Sequence, residues 1–127
     1  MITGVFVVDD HGVTASTTAG ILELSGYEAR SSVNPLEALE AAKTDRPDLV
    51  IADVAMPELS GIDFAIRLRE QCPACEVLLF SGQAKTGDLL EAACLQGQDF
   101  EVLAKPIHPR DLLARIKEVD VSDVNVA

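Results

Sequence analysis

Residues 4–10, Gly-Val-Phe-Val-Val-Asp-Asp, join a short apolar run to two adjacent carboxylates at its end. Residues 49–53, Leu-Val-Ile-Ala-Asp, repeat the pattern, with Asp53 in the final place. Each run is too short and too apolar for an amphipathic helix, and its composition is typical of a buried parallel strand. We therefore predict two buried strands that end at Asp9-Asp10 and at Asp53.

Two later apolar runs also end in polar residues. Residues 77–80, Val-Leu-Leu-Phe, precede Ser81, and residues 102–104, Val-Leu-Ala, precede Lys105. In an open α/β sheet, ligands bind beyond the carboxyl ends of the strands. We therefore expect three carboxylates, a hydroxyl and an ammonium group to converge on one edge of one sheet. This combination suits a divalent cation and a phosphoryl group.

The segments between these runs predict a strand–helix alternation. A second strand is predicted over residues 27–32, and helices are predicted over residues 12–25, 34–45, 61–71, 86–96 and 109–119. With right-handed crossovers, this pattern predicts a doubly wound (βα)5 α/β fold around a five-stranded parallel sheet. In the order 2-1-3-4-5 the two acidic strands are neighbours, so the site lies in the crevice between them. We predict one domain over residues 1–119 and a frayed C-terminal tail over residues 120–127.

Local signals fix the ends of two helices most clearly. Gly26 is placed to stop the first helix. Asn34 can cap the second helix, and Pro35 suits its first position. Glu37 is placed where the acid of a capping box would reach back to the cap.

Composition excludes several classes of function. The net charge of −11 argues against direct binding of nucleic acid and against binding to an anionic membrane. No apolar run approaches the roughly 20 residues of a membrane helix, and the N-terminus lacks the basic region of a signal peptide. Three cysteines without scaffold spacing fit a reducing compartment. We therefore expect a cytoplasmic protein.

The acidic residues suit both metal binding and nucleophilic chemistry. Asp10 and Asp53 could bind Mg²⁺, with Asp9 acting through a water, and the ion would offset their mutual repulsion. A carboxylate that attacks a phosphoryl donor forms an aspartyl phosphate. Mg²⁺, Lys105 and Ser81 could position and neutralise the transferred group. A single Asp at a strand end is usually a turn or cap residue, so the prediction depends on all four strand ends together.

With these residues in place, the chain resembles the receiver domain of the two-component response-regulator family. The resemblance covers about residues 5–119. It rests on Asp9-Asp10, Asp53-Val54-Ala55-Met56-Pro57, Gly61, Ser81-Gly82 and Lys105-Pro106. It implies a flavodoxin-like fold and a phosphoprotein that acts as a single-domain response regulator in signal transduction through a phosphorelay.

The resemblance also implies roles for individual residues. Asp53 would be the phosphoacceptor. Mg²⁺ would be held by Asp10, Asp53 and the backbone carbonyl of Ala55, with Asp9 acting mainly through water. Lys105 would bridge to the phosphoryl group.

Two further positions would serve the phosphoryl group itself. Ser81 would move toward a phosphoryl oxygen and report its presence, and Gly82 would leave room for the phosphate.

The implied function is that of a phosphorylation-dependent switch. The chain would accept a phosphoryl group from the phosphohistidine of a sensor histidine kinase or of a phosphotransfer protein. It would catalyse its own phosphorylation and slow autodephosphorylation without being an enzyme in the ordinary sense, as a monomer or weak dimer. Output would pass to an unidentified protein target through altered protein–protein binding.

Two other functions stay open at this point. A degenerate receiver would serve only as an interaction module. A phosphatase of the haloacid-dehalogenase type would also use an aspartyl nucleophile, but it would need an acid two residues later, where this chain has Ala55.

Some positions depart from the pattern of the resembled family. Val102 occupies the place of the usual switch aromatic, Ile107 replaces the usual Phe after Lys-Pro, and Ser60-Gly61 replaces Asp-Gly. A valine has no ring to rotate, so we expect the signal from Ser81 to travel through loop and helix shifts, or through Phe100 in a shifted register.

Three other features have more than one interpretation. Cys72-Pro73-Ala74-Cys75 is a CxxC that falls between a helix and a strand, where packing is a better explanation than redox chemistry. His11 is expected to face solvent at the start of a helix, although it could tune the site. Residues 14–20 carry no charge, which indicates either tight packing or a surface for a partner.

Overall fold

The backbone has the predicted alternation of strands and helices. The computed structural model describes residues 2–54, 56, 59–81, 101–104 and 108–124. In these residues the strands are β1 (Gly4–Val8), β2 (Glu28–Ser32), β3 (Leu49–Asp53), β4 (Glu76–Ser81) and β5 (Glu101–Ala104). The helices are α1 (Gly12–Leu24), α2 (Pro35–Thr44), α3 (Gly61–Gln71) and α4 (Pro109–Val124). The helix predicted over residues 86–96 lies outside the described residues.

The five strands form one parallel sheet in the order β2-β1-β3-β4-β5, which confirms the predicted topology. The register aligns the carboxyl ends of the strands. Val8 of β1 pairs with Ala52 of β3. Asp9 directly follows Val8, and Asp53 directly follows Ala52. Asp53 in turn pairs with Phe80. The acids of two neighbouring strands therefore lie at one edge of the sheet.

Helices cover both faces of the sheet. Apolar residues of α2 and α3, among them Leu39 and Phe64, pack on one face. Residues of α1 and α4, among them Leu22 and Ile116, pack on the other. Every residue of β3 is buried, as expected for a central strand covered on both sides. The strand that carries Asp53 is thus held rigidly from both sides.

The start of α2 confirms part of the capping prediction. The side chain of Asn34 accepts hydrogen bonds from the backbone N–H groups of Leu36, at 2.9 Å, and of Glu37, at 3.5 Å. The prediction that Glu37 would reach back to Asn34 is not met. The N–H of Asn34 donates to Oγ of Ser32 at 3.3 Å, so the last residue of β2 occupies the position that the acid would need.

Two predicted boundaries differ from the structure. β2 begins at Glu28, because the N–H of Tyr27 still donates to the carbonyl of Leu22 in α1, at 3.0 Å. Gly26 separates them with a φ of 98°, a left-handed conformation that favours glycine, as its predicted stop role requires. The last helix continues to Val124 and not to about Val119, so most of the predicted frayed tail is helical. Residues 119–124 contain no Gly or Pro that would end the helix earlier.

The CxxC lies at the corner between α3 and β4. Cys72 and Cys75 are both buried, and the N–H of Cys75 donates to the carbonyl of Cys72 at 3.1 Å. Burial, with the neighbouring Cys72 thiol and the Glu76 and Asp48 carboxylates, raises the pKa of Cys75 to about 12. A thiol with such a pKa is a poor nucleophile, so the pair acts in packing.

Asp48 joins the starts of β1 and β3. Its Oδ2 accepts hydrogen bonds from N and Oγ1 of Thr3, both at 2.9 Å, and from N of Gly4 at 3.1 Å. Partial burial would raise the pKa of Asp48, but these hydrogen bonds outweigh it and hold the pKa below its ordinary value of 3.8. The ionised carboxylate is therefore the form that stabilises the fold.

We expect Asp48→Asn to lower the free energy of unfolding at neutral pH, with a loss that shrinks in acid. Because the pKa of Asp48 is lower in the folded chain, its contribution is complete above the unfolded pKa and disappears as pH falls through the folded pKa. Urea unfolding of both proteins between pH 7 and about pH 3 tests this, because the range extends below the ordinary pKa of 3.8. A difference that stays constant across the range would contradict it.

None of the helices within the described parts of the chain is long and apolar enough to span a membrane.

Candidate functional site

The site begins where β1 ends. Asp9 follows Val8, and its N–H donates to the carbonyl of Ser32 in β2 at 3.0 Å, which fixes the chain as it leaves the sheet. The Asp9 residue is only 4% exposed. Its Oδ1 accepts a hydrogen bond from the N–H of His11 at 2.9 Å. A carboxylate is therefore held below the surface at the start of α1.

Asp10 and His11 form the outer wall of the site. The Asp10 side chain is 27% exposed, and its Oδ1 is buried without a hydrogen-bond partner among the described residues. Nδ1 of His11 lies 3.2 Å from that oxygen and 3.3 Å from Oδ1 of Asp9. The imidazole itself is 72% exposed. Its predicted exposure is correct, and it also faces both carboxylates.

Asp53 completes the cluster from the neighbouring strand. It ends β3, is 6% exposed, and is followed by Val54, whose N–H donates to the carbonyl of Phe80 at 2.8 Å. One ligand atom from each of four residues lies within 4.8 Å of every other. These residues are Asp9, Asp10, His11 and Asp53. The three predicted acids are therefore brought together.

Gly61 holds the chain closely over the end of β3. Its N–H donates to the carbonyl of Val54 at 2.8 Å. A Cβ at this position would lie 2.2 Å from the carbonyl oxygen of Asp53, far inside any normal contact. The loop can return over Asp53 only because residue 61 has no side chain. Ser60 then caps α3 by accepting from N of Asp63 at 3.1 Å.

The other predicted site residues are described only in part. Ser81 ends β4 and pairs with Ala104 of β5, which places its backbone at the same edge of the sheet as Asp53. Ala55, Gly82 and Lys105 lie outside the described residues, so their predicted roles stay predictions.

The donor atoms at this edge fit a hard divalent cation. Mg²⁺ prefers carboxylate oxygens together with waters. Three carboxylates that repel one another gain most from an ion between them. The buried Oδ1 of Asp10, which no described donor hydrogen-bonds, is an oxygen that such an ion would satisfy.

Residues 5–117 match the family described as the response regulator receiver domain. The chain belongs to this family. Receiver domains bind Mg²⁺ at an acidic pocket, and this receiver domain has an acidic cluster of Asp9, Asp10 and Asp53. Receiver domains interact with histidine kinases or phosphotransfer proteins in two-component systems. The resemblance seen in the sequence is confirmed.

Individual relatives show how widely this domain is used. The transcriptional regulatory protein PhoP for alkaline phosphatase synthesis, from Bacillus subtilis, is 32% identical over 115 residues, which are 91% of this chain and 47% of PhoP. Protein-glutamate methylesterase/protein-glutamine glutaminase 1 from Anaeromyxobacter dehalogenans is 31% identical over 80% of this chain and 29% of its own length. The receiver domain described here therefore spans less than half the length of each.

A solved structure agrees with the fold over the full length. The CheY-like response regulator receiver domain protein from Methanospirillum hungatei superposes with a TM-score of 0.88. The match covers 100% of both chains at 24% sequence identity. At this identity the likeness concerns the fold, which is confirmed as CheY-like.

Two contacts in this receiver domain do not follow from the sequence alone. The approach of His11 to both carboxylates depends on the turn between β1 and α1, and the only sequence signal was its position directly after Asp10. The contact of Gly61 with the Asp53 backbone was not predicted either. The sequence feature that could have indicated this contact is a glycine as the first residue of α3. Ser60 already caps this helix, so the glycine is not needed for capping.

We expect Mg²⁺ to stabilise the folded chain by relieving repulsion among Asp9, Asp10 and Asp53. A ligand that binds the folded state alone raises stability by RT ln(1 + [L]/Kd). Asp10→Asn should therefore unfold at a higher temperature than wild type without metal and gain less when Mg²⁺ is added.

Differential scanning calorimetry with EDTA and with millimolar Mg²⁺ measures both effects. Asp111→Asn, a change of one charge at an exposed position in the first turn of α4, is the matched control and should respond to Mg²⁺ as wild type does. A wild-type melting temperature that does not rise with Mg²⁺ would contradict the metal site.

Proposed function

We propose that the chain is a phosphorylation-dependent switch whose phosphoacceptor is the Asp53 carboxylate. The observation that carries this proposal is the buried position of Asp53 at the end of β3, with ligand atoms of Asp9 and Asp10 within 4.8 Å. Carboxylates held this closely repel one another, and a cation between them relieves that repulsion. The match to the receiver-domain family supports the same role.

Mg²⁺ would be held by Asp10 and Asp53 directly, by the Ala55 carbonyl, and by Asp9 through water. The ion would supply positive charge next to the transferred oxygens. The protein's own contribution is a rigid arrangement, because β1 and β3 are paired in register and buried on both faces. The acids then need little rearrangement when the donor arrives.

Asp53 would attack the phosphorus atom of a phosphohistidine. A bond forms between a carboxylate oxygen and phosphorus, the phosphorus–nitrogen bond breaks, and the donor imidazole leaves. Lys105 would neutralise the phosphoryl oxygens, Ser81 would donate a hydrogen bond to one of them, and Gly82 would leave space. The pairing of Ser81 with Ala104, the residue before Lys105, supports a shared location.

The phosphoryl donor would be a histidine kinase or a phosphotransfer protein docked beside α1. Ala15 and Ala19 are buried against the sheet, whereas Thr14, Ser16 and Thr17 are exposed. Val13 is 82% exposed. Residues 14–20 therefore fit both interpretations of their lack of charge. The small residues pack against the sheet, and the remaining residues leave an uncharged face exposed. Such a face next to the acids suits docking.

The output would be a change in binding to a protein target. Phosphorylation would shift an existing equilibrium between two conformations. Val102 pairs with Leu79 in the sheet and offers no aromatic ring, so the change would pass from Ser81 into the loop that follows it. We propose a cytoplasmic phosphoacceptor without independent enzymatic turnover. The methylesterase relative shows that receiver domains also occur in enzymes.

An assay with a small phosphodonor tests the proposal. The purified chain is incubated with acetyl phosphate and Mg²⁺, and intact-mass spectrometry follows the addition of one phosphoryl group. We expect a single adduct that base removes and that decays slowly. Rapid release of phosphate over many turnovers would indicate the phosphatase alternative. The absence of an adduct under these conditions would indicate a degenerate receiver that acts only as an interaction module.

A further inference from the structure

His11 gives the acidic site a nitrogen atom in addition to its oxygens. Its Nδ1 lies 3.3 Å from Oδ1 of Asp9 and 3.2 Å from Oδ1 of Asp10. One imidazole nitrogen of His11 belongs to the group of ligand atoms that includes Asp53. The ring is 72% exposed, so it has room to move toward an ion. The chain thus presents three carboxylates and one imidazole to a single small volume.

The distances suit neighbouring positions around one metal ion. Octahedral ligands that lie about 2.1 Å from an ion are about 3.0 Å apart when adjacent and about 4.2 Å apart when opposite. The Nδ1–oxygen separations of 3.2 and 3.3 Å are close to the adjacent value. The 4.8 Å limit of the whole group is about 0.6 Å beyond the opposite value. A small inward movement of exposed His11 would place its nitrogen on an ion held by the acids.

We propose that His11 is an additional ligand of this metal site, one that strengthens the binding of Ni²⁺, Zn²⁺ and Cu²⁺ relative to Mg²⁺. Imidazole nitrogen suits Ni²⁺, Zn²⁺ and Cu²⁺, whereas carboxylates and water suit Mg²⁺ and Mn²⁺. A site with carboxylates and one imidazole can bind all of these ions. The imidazole nitrogen coordinates Ni²⁺, Zn²⁺ and Cu²⁺ and, in part, Mn²⁺, but not Mg²⁺. This inference rests on the proposed function only in taking the carboxylates as a metal site.

His11 can be replaced without disturbing the start of α1. It occupies the cap position of α1, yet its side chain makes no capping hydrogen bond. Asparagine is a favourable capping residue, so His11→Asn should fold at least as well as wild type. Its amide can supply an oxygen but no imidazole nitrogen. The substitution therefore removes the one property that the proposal invokes.

The other histidine provides a matched control. His108 is exposed just before α4, and its Nδ1 accepts from the N–H of Arg110 at 3.1 Å. Asparagine can accept the same hydrogen bond, so His108→Asn should also fold normally. Each variant leaves one imidazole in the chain. A loss seen only in His11→Asn cannot then be attributed to a general loss of histidine.

Metal binding is measured on the untagged chain with metals alone. Isothermal titration calorimetry should show that His11→Asn binds Ni²⁺ at least about tenfold more weakly than wild type does. Loss of a residue that merely hydrogen-bonds to a metal ligand already lowers metal affinity by about 10–100-fold. The Mg²⁺ affinity should change by no more than about twofold, since Mg²⁺ prefers oxygen. Pulsed EPR of bound Mn²⁺ should detect a coordinated nitrogen in wild type and His108→Asn but not in His11→Asn.

Two outcomes would overturn the proposal and can be told apart. If His11→Asn binds Ni²⁺ as tightly as wild type and keeps the nitrogen signal, while Asp10→Asn loses metal, the acidic site stands and His11 is no ligand. If neither His11→Asn nor Asp10→Asn changes the binding of any metal, the metal site of the proposed function fails as well.

Discussion

Asp53→Asn is expected to abolish incorporation of phosphate from acetyl phosphate. An amide oxygen is not a nucleophile toward phosphorus at neutral pH, so no acyl phosphate can form at this position. Asparagine has nearly the shape of aspartate, and the change removes one of three clustered negative charges. The variant should therefore fold normally and be at least as stable as wild type in the absence of metal.

The control for this prediction is a second aspartate that lies on α3. Asp63 is exposed, and Asp63→Asn should accept one phosphoryl group at the wild-type rate. Intact-mass spectrometry after a fixed time with acetyl phosphate and Mg²⁺ gives the stoichiometry of all three proteins. An adduct on Asp53→Asn that forms at the normal rate would show that another residue is the acceptor.

Gly61→Ala is expected to impair both stability and phosphorylation. The added Cβ would lie 2.2 Å from the carbonyl oxygen of Asp53 and 2.8 Å from Cα of Val54. Both are backbone atoms, which cannot rotate away as a side chain could, so β3 or the loop must shift. Overpacking of this kind typically costs about 1–3 kcal/mol. A displacement of about 1 Å at a reacting group can slow a reaction by about 10²-fold.

A second glycine, which has no close neighbours, serves as the control. Replacing it shows the effect of a glycine-to-alanine change that causes no steric clash. Gly20 lies within α1, and a Cβ there would meet nothing within 4 Å. Gly20→Ala should raise stability by roughly 0.5–1 kcal/mol, because alanine is the better helix former, and should leave the rate unchanged. Urea unfolding and initial rates with acetyl phosphate measure both effects. A Gly61→Ala protein that reacts at the wild-type rate would show that the loop does not position Asp53.

The sheet could be predicted because its strands are marked unusually clearly. The apolar runs at 49–53 and 77–80 have no helical alternative, and their order follows from the handedness of the crossovers. Predictions at the ends of helices and strands were less accurate where two groups compete for the same hydrogen bond. Tyr27 stays bonded to Leu22 although its sequence suits a strand, and Ser32 takes the partner that Glu37 was expected to have.

The candidate site was predictable in so far as it depends on topology. Once β1 and β3 are neighbours, Asp9 and Asp53 must lie close together, whatever their rotamers. The position of His11 depends on a turn and on an exposed side chain, which no periodicity reports. The passage of Gly61 over Asp53 depends on the path of a loop. The resemblance supplied the remaining assignments, and the roles of Asp53, Ala55, Ser81, Gly82 and Lys105 stay predictions.

The corner between α3 and β4 gives the protein a built-in reporter of its own unfolding. Cys72 and Cys75 are both buried, and burial raises the pKa of Cys75 to about 12, so alkylating reagents reach these thiols only when the corner opens. Once the third cysteine of the sequence is removed by Cys94→Ala, the labelling rate of Cys72 and Cys75 would measure how often α3 separates from the sheet. Comparing that rate with and without metal or phosphoryl group would show whether events at Asp53 tighten the opposite end of the sheet.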